Sequence, residues 1–181
     1  MADFVVLLRA INVGKRQLPM AELRELCSEL GYERPETYIA SGNLLIDADE
    51  SAKAVATALE KAIAARFGFA VDLIVRAASD WTTYRDANPF ADDPAALPKL
   101  VHLALSRDAL RPDAVEALRQ RAADGERIEE ACGALWIDFG ASGVARSKLT
   151  PGFIDKAAGS PVTARNWNTV LRLQEMIEAR W

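Results

Sequence analysis

An α+β fold in two related subdomains is what this sequence predicts, and three observations predict it. Residues 1–77 carry apolar patterns in the order strand, helix, strand, strand, helix, strand. After a stretch rich in proline, residues 99–181 repeat strand, helix, strand, strand, helix and close on an amphipathic helix. The run Phe4 to Leu8 has no polar alternation, which marks a central strand covered on both faces. The order βαββαβ is the split βαβ, or ferredoxin-like, arrangement. The expectation is therefore a ferredoxin-like subdomain over residues 1–87, a proline-rich linker over 88–98, and a second subdomain over 99–181. That second unit reads as a degenerate βαββα with an added C-terminal helix.

Taken in order, the first strand ends near Arg9, where polar residues and Gly14 begin a loop. Pro19 suits a first helical turn, and Met20, Leu23, Leu26 and Leu30 then share one face of a helix that Gly31 terminates. Thr37, Tyr38 and Ile39 predict a short second strand over 36–40. The triplet Ser41, Gly42, Asn43 has hairpin-turn chemistry, and Leu44 to Ile46 make the third strand. Asp49 or Ser51 caps a second helix with Val55, Leu59, Ile63 and Phe67 inward and Gly68 at its end. Residues 71–76 give a fourth strand, and a short helix carries Trp81 and Tyr84.

The second half reads as a strand over 100–105, a helix over 112–122 and a hairpin around Cys132-Gly133. A helix follows from Thr150-Pro151 to Gly159. In place of a fourth strand, a helix opening near Asn166 or Asn168 closes the chain with Val170, Leu173 and Ile177 as its stripe.

Composition narrows the function classes. A length of 181 residues with 50% hydrophobic content supports a packed interior. A net charge of -4 argues against duplex nucleic acid bound through a broad basic face. Cys27 and Cys132 fall in separate elements and read as reduced thiols, and the only histidine is His102, so no metal site is expected and no cofactor is implied. The leader MADFVVLL is acidic and its apolar run is short, which predicts a cytoplasmic protein without a membrane segment.

No catalytic motif of high specificity is present, so the sequence assigns no reaction and leaves open whether the protein is an enzyme. Gly14-Lys15 lacks the second glycine and the Ser or Thr of a Walker loop. Ser147 and Lys148 are adjacent, so their side chains point apart on any regular element, and His102 lies in an apolar strand with no nucleophile elbow nearby. The third strand offers Leu44, Leu45 and Ile46 where an RNA-recognition motif needs stacking aromatics.

What topology does predict is a place. Right-handed crossovers make strands one and two parallel, with strand three antiparallel between them. The loop with Arg9, Asn12, Gly14 and Lys15 and the hairpin with Ser41, Gly42 and Asn43 then emerge at one edge of the sheet. Turn geometry alone is the competing explanation for each residue taken singly. In the second half, Arg165 beside a helix opening at Asn166 or Asn168 suits a phosphate or carboxylate, and Lys148 joins as a further cation.

The segments LLRAINVGK, MAELRELCSELGY, TYIASGNLLI, NPF, SKLTPGFIDKA and TARNWNTVLRL resemble the bacterial family known as domain of unknown function 1697, along essentially the whole chain. The resemblance implies a small soluble α+β protein with two ferredoxin-like or related subdomains, and no established activity, cofactor or catalytic residue. Where the family usually has glycine after the strand-one arginine, this chain has Ala10. The polar loops chosen on physical grounds are also the family's signature segments. The leading expectation is a small anionic ligand in a cleft between the subdomains. A protein-interaction or homodimerisation module comes second, and a single-stranded nucleic-acid binder third.

Overall fold

β1 (Ala2–Leu8) lies at the centre of a four-stranded antiparallel sheet ordered β2–β3–β1–β4, with β2 (Glu33–Tyr38), β3 (Asn43–Ala48) and β4 (Leu73–Ala77) as its partners. The computed structural model describes residues 2–181. In β1 the residues Phe4, Val6 and Leu8 join Leu44, Ile46, Leu73 and Val75 on one face. They pack against Leu23, Leu26 and Cys27 of α1 (Met20–Glu29) and Val55, Leu59 and Ile63 of α2 (Ala52–Phe67). Val5, Leu7, Leu45 and Ile74 point the other way and are buried as well, which explains the missing polar alternation.

Local chemistry sets the helix ends. Ser51 accepts a hydrogen bond from the Ala54 N–H at the start of α2, and Gly68 ends that helix in the left-handed conformation. α3 (Ala78–Asp86) follows β4 directly, and the chain divides into two compact units between Trp81 and Thr82. Residues 88–98, expected as a linker, belong to the second unit, where Asn88 and Phe90 are buried and Asp93 pairs with Arg127.

Both subdomains are α+β, and the second is more complete than its sequence suggests. Its sheet is ordered β6–β7–β5–β8, from β5 (Val101–Ser106), β6 (Arg127–Ala131), β7 (Ala134–Asp138) and β8 (Val162–Asn166). α4 (Ala114–Arg121) and α5 (Pro151–Ala158) occupy the places of α1 and α2, and α6 (Trp167–Glu178) closes the chain. The segment expected to lack a fourth strand thus forms β8, paired antiparallel with β5 from Ser106↔Val162 to His102↔Asn166. It escaped the pattern because Thr163 and Arg165 are buried on its second face in place of the apolar residues that mark a strand covered on both sides. Val162 and Ala164 face the core with Leu135, Ile137 and Ile128, while Thr163 and Arg165 point away.

A second difference lies in β2, which stops at Tyr38. Ile39, expected inside the strand on its β-branched side chain, sits in the turn at a φ of 48°. Among the described residues no helix is long and apolar enough to cross a membrane.

Candidate functional site

The predicted convergence of loops occurs in the first subdomain. Leu7 of β1 pairs with Asn43 of β3, and Tyr38 of β2 pairs with the same Asn43, so the end of β1 meets the β2–β3 hairpin. The Leu8 N–H donates to the Gly42 carbonyl at 2.8 Å, and the Arg9 N–H to the Asp72 carbonyl at 3.1 Å. Gly42 is required at this junction. Its φ is 89°, and a β-carbon there would stand 2.7 Å from Leu8 Cβ and 2.8 Å from Ile11 Cδ1.

Asn12 fastens the two loops. Its Nδ2 donates to the Ala40 carbonyl of the hairpin at 2.7 Å and to the Leu18 carbonyl at 3.1 Å, while its Oδ1 accepts from the Leu18 N–H at 2.8 Å. Asn43 is fully buried and braces the hairpin, donating from Nδ2 to the Tyr38 carbonyl at 3.0 Å and to Ser41 Oγ at 3.3 Å. Asn12 and Asn43 therefore serve the turn chemistry that competes with a ligand role, and in doing so they hold the loop in one shape.

That shape has a chemical consequence. Ala10, Asn12 and Gly14 have φ values of 50°, 54° and 57°, whereas the intervening Ile11 and Val13 do not adopt positive φ. The Asn12 N–H donates to the Arg16 carbonyl at 2.7 Å and the Arg16 N–H to the Val13 carbonyl at 3.2 Å, closing a turn with Val13, Gly14 and Lys15 at its tip. The N–H groups of those three residues donate to no acceptor among the described residues. Alternation in the sign of φ from Ala10 to Gly14 is a feature that this loop shares with the N–H concavities that hold anions in many phosphate sites.

The loop also carries three cationic residues, Arg9, Lys15 and Arg16. Lys15 is exposed and Arg16 half-buried, and among the described residues neither lies within ion-pair distance of a carboxylate. Arg16 donates from Nη2 to the Ala70 carbonyl at 2.6 Å and lays its guanidinium over the Phe69 ring at 5.2 Å, with its buried Nε left without a partner. Arg9 pairs with Asp72 at 3.5 Å. Sequence reasoning did not select Arg16 as a site residue and noted Ala10 only as a departure from the family's glycine. Ala10 stands where the family usually has glycine and takes a left-handed angle, so that glycine was the signal for the alternation.

The second subdomain holds the remaining candidates. Asn166 caps α6 by accepting from the Thr169 N–H at 3.0 Å, and Asn168 is exposed in the first turn. Arg165 is buried, donates from Nη1 to Thr163 Oγ1 at 2.8 Å and to the Ala164 carbonyl at 2.9 Å, and is pushed down to about 10 by that burial. It stays charged at neutral pH. Lys148 is exposed, and its carbonyl accepts from Arg121 Nε at 3.1 Å. Among the described residues no three His, Cys, Asp or Glu side chains come together as metal ligands do.

Comparison with known proteins bears on the fold and the lineage. No curated protein matches the chain. A solved structure described as that of "conserved bacterial protein SP0830 from Streptococcus pneumoniae" is similar, with a TM-score of 0.76 and 24% identity over 98% of this chain and 99% of that one. At that identity the likeness speaks for the fold alone. The model of a family described as "Protein of unknown function (DUF1697)" matches residues 1–136, a stretch that includes the β1 loop, the β2–β3 hairpin and most of the second sheet. The chain therefore belongs to the DUF1697 family of proteins of unknown function.

Proposed function

We propose that the protein binds a small anion, a phosphate or carboxylate group, on the loop from Ala10 to Arg16. The observation that carries this reading is the alternating backbone of the loop, whose tip offers the Val13, Gly14 and Lys15 N–H groups beside two cations without carboxylate partners. Arg9, Asn12, Gly14 and Lys15 form the binding loop, and Ser41, Gly42 and Asn43 hold it from the hairpin. Arg165 and Asn166 are left out of the binding set because they belong to β8 and the start of α6, not to this loop or its hairpin.

Thermal-shift and calorimetric titration with inorganic phosphate, nucleotides, sugar phosphates and carboxylic acids tests the reading, since a ligand of the native state raises its melting temperature. The expected result is saturable binding that shifts the Gly14 amide resonance. Replacing Lys15 or Arg16 by Ala should weaken binding by about 1.5–3 kcal/mol, roughly ten- to a hundred-fold. Absence of any shift, with a concentration-dependent dimer in its place, would favour an interaction module. Salt-sensitive retention of oligonucleotides would favour a single-strand binder.

A further inference from the structure

We propose that the cleft between α4 and α5 binds a small carboxylate whose apolar body is a single ring or a short aliphatic chain. The site belongs to the second subdomain and stands whether or not the loop from Ala10 to Arg16 binds an anion. The cleft has a volume of about 170 Å³ and is lined by Arg111, Asp113, Ala117, Phe153, Lys156 and Ala157. An apolar cavity of about 150 Å³ takes one benzene molecule, so the space suits a ligand of that size.

The chain holds one of the two cations of this cleft in place. Gly159 ends α5 at a φ of 88°, and a β-carbon there would stand 2.8 Å from Arg111 Cγ, so the Arg111 stem rests against bare backbone. The Arg111 N–H donates to the Ala158 carbonyl at 3.0 Å, which ties the residue to the end of α5. Asp113 occupies two of its guanidinium nitrogens, Nε through Oδ1 and Nη2 through Oδ2, both at 3.1 Å. Arg111 Nη1 and Lys156 Nζ meet no acceptor among the described residues. Two cations against one carboxylate leave the lining with a single excess positive charge.

That balance selects the head of the ligand. Donors from two residues and one excess charge match the two oxygens and single charge of a carboxylate. A phosphate monoester would bring nearly two negative charges at neutral pH and set the second against Asp113. The body meets Ala117, Ala157 and Phe153, whose ring lies 4.7 Å from the Arg121 guanidinium. The fold does not require unmatched cations here. Between the corresponding helices of the first subdomain, Arg66 of α2 is answered by Glu29 of α1 at 2.6 Å and by Glu25 at 3.9 Å, whereas Lys156 of α5 has no such partner among the described residues.

Titration of the full chain with benzoate, cyclohexanecarboxylate, benzyl alcohol and phenyl phosphate, followed through the Ala117 and Ala157 amide resonances, tests the assignment. The two carboxylates should saturate with dissociation constants on the order of 1–10 mM and move both resonances together. Benzyl alcohol and phenyl phosphate should bind there about ten-fold more weakly. Lys156→Gln should weaken benzoate about ten-fold at an unchanged melting temperature, because this exposed side chain holds no partner in the fold. Ala117→Leu, which fills the cleft, should abolish binding, and Arg111→Gln gives a second reading of the charge if that variant fails to fold. Benzyl alcohol binding as tightly as benzoate, phenyl phosphate binding more tightly, or benzoate affinity untouched by Lys156→Gln would each overturn the assignment. Two resonances that stay still at about 50 mM benzoate would do the same. Oligonucleotide retention lost in Lys156→Gln would make these cations part of a nucleic-acid surface and overturn it as well. The loop is scored by the Gly14 resonance, so either site can fail without the other.

Discussion

Asn12 shows how one side chain turns a flexible sequence into a fixed loop. It combines a left-handed backbone angle that asparagine tolerates with three hydrogen bonds, two to Leu18 and one across to Ala40. The residue type predicted a turn, but its long-range partner is a property of the fold, since Ala40 is reached only after α1 and β2 have formed. Asn12→Ala should therefore destabilise the protein by about 2–3 kcal/mol, from unmade hydrogen bonds plus left-handed strain on Ala. Denaturant unfolding measures this, and a loss below about 0.5 kcal/mol would mean that the three contacts add nothing beyond water. Because the same residue fixes the N–H groups of the loop tip, the variant should also bind anions more weakly than its folded fraction accounts for.

At the scale of elements, the junction of β1 with the β2–β3 hairpin was readable from topology alone. Strand order and right-handed crossovers brought the two polar loops together, and the register Leu7↔Asn43 confirms the contact. What topology does not contain is the tightness of that contact, which depends on Gly42 letting the hairpin backbone lie against Leu8 and Ile11. Gly42→Ala should be destabilising by at least about 2 kcal/mol, because it adds both a left-handed penalty and a methyl group where Leu8 Cβ already sits. Unfolding at two protein concentrations separates this from association, and a variant as stable as wild type would show that the hairpin can swing away. β8 and the end of β2 were misread for a shared reason. Strand propensity expresses packing on a half-buried surface, so the polar edge strand Val162–Asn166 looked like a loop and the exposed Ile39 looked like a strand.

The whole chain is a repeated βαββαβα unit, a regularity that sequence inspection caught only in part. Gly42 to Asp47 and Gly133 to Asp138 share Gly, Leu, Ile and Asp at the same four places, and each closing Asp pairs with an Arg of the neighbouring strand, Arg34 with Asp47 and Arg127 with Asp138. Arg76 and Arg165 likewise hold equivalent positions, opposite Val5 and Leu103, and each donates from Nη1 to the preceding carbonyl at 2.9 Å. Features common to both copies serve the fold, and the copies part where the first has the loop 9–19 and the turn 39–42 against the shorter 107–113 and 132–133. His102 breaks the repeat in the other direction, standing in β5 where β1 has Phe4. It is half-buried, Nδ1 lies 3.1 Å from the Leu100 carbonyl, and the ring meets Phe139 edge-on with centroids 5.0 Å apart. Burial lowers its pKa below the ordinary 6.5, with Arg165 adding to the fall and the Leu100 carbonyl and Asp138 opposing it. The unfolded chain then binds the proton first as pH drops, so the stability that neutral His102 supports is whole above about pH 6.5 and declines below it towards the folded pKa. As the only histidine, it has the interval from about pH 6.5 to 5 largely to itself, because ordinary carboxylates titrate lower. Unfolding free energy should be flat from about pH 8 to 6.5 and fall from there to about pH 5, and His102→Gln should flatten the fall whatever it does to the absolute value. A wild-type protein that gains stability on acidification through this interval would show that His102 is charged in the folded state, with its proton held by Leu100 and Asp138 against the burial.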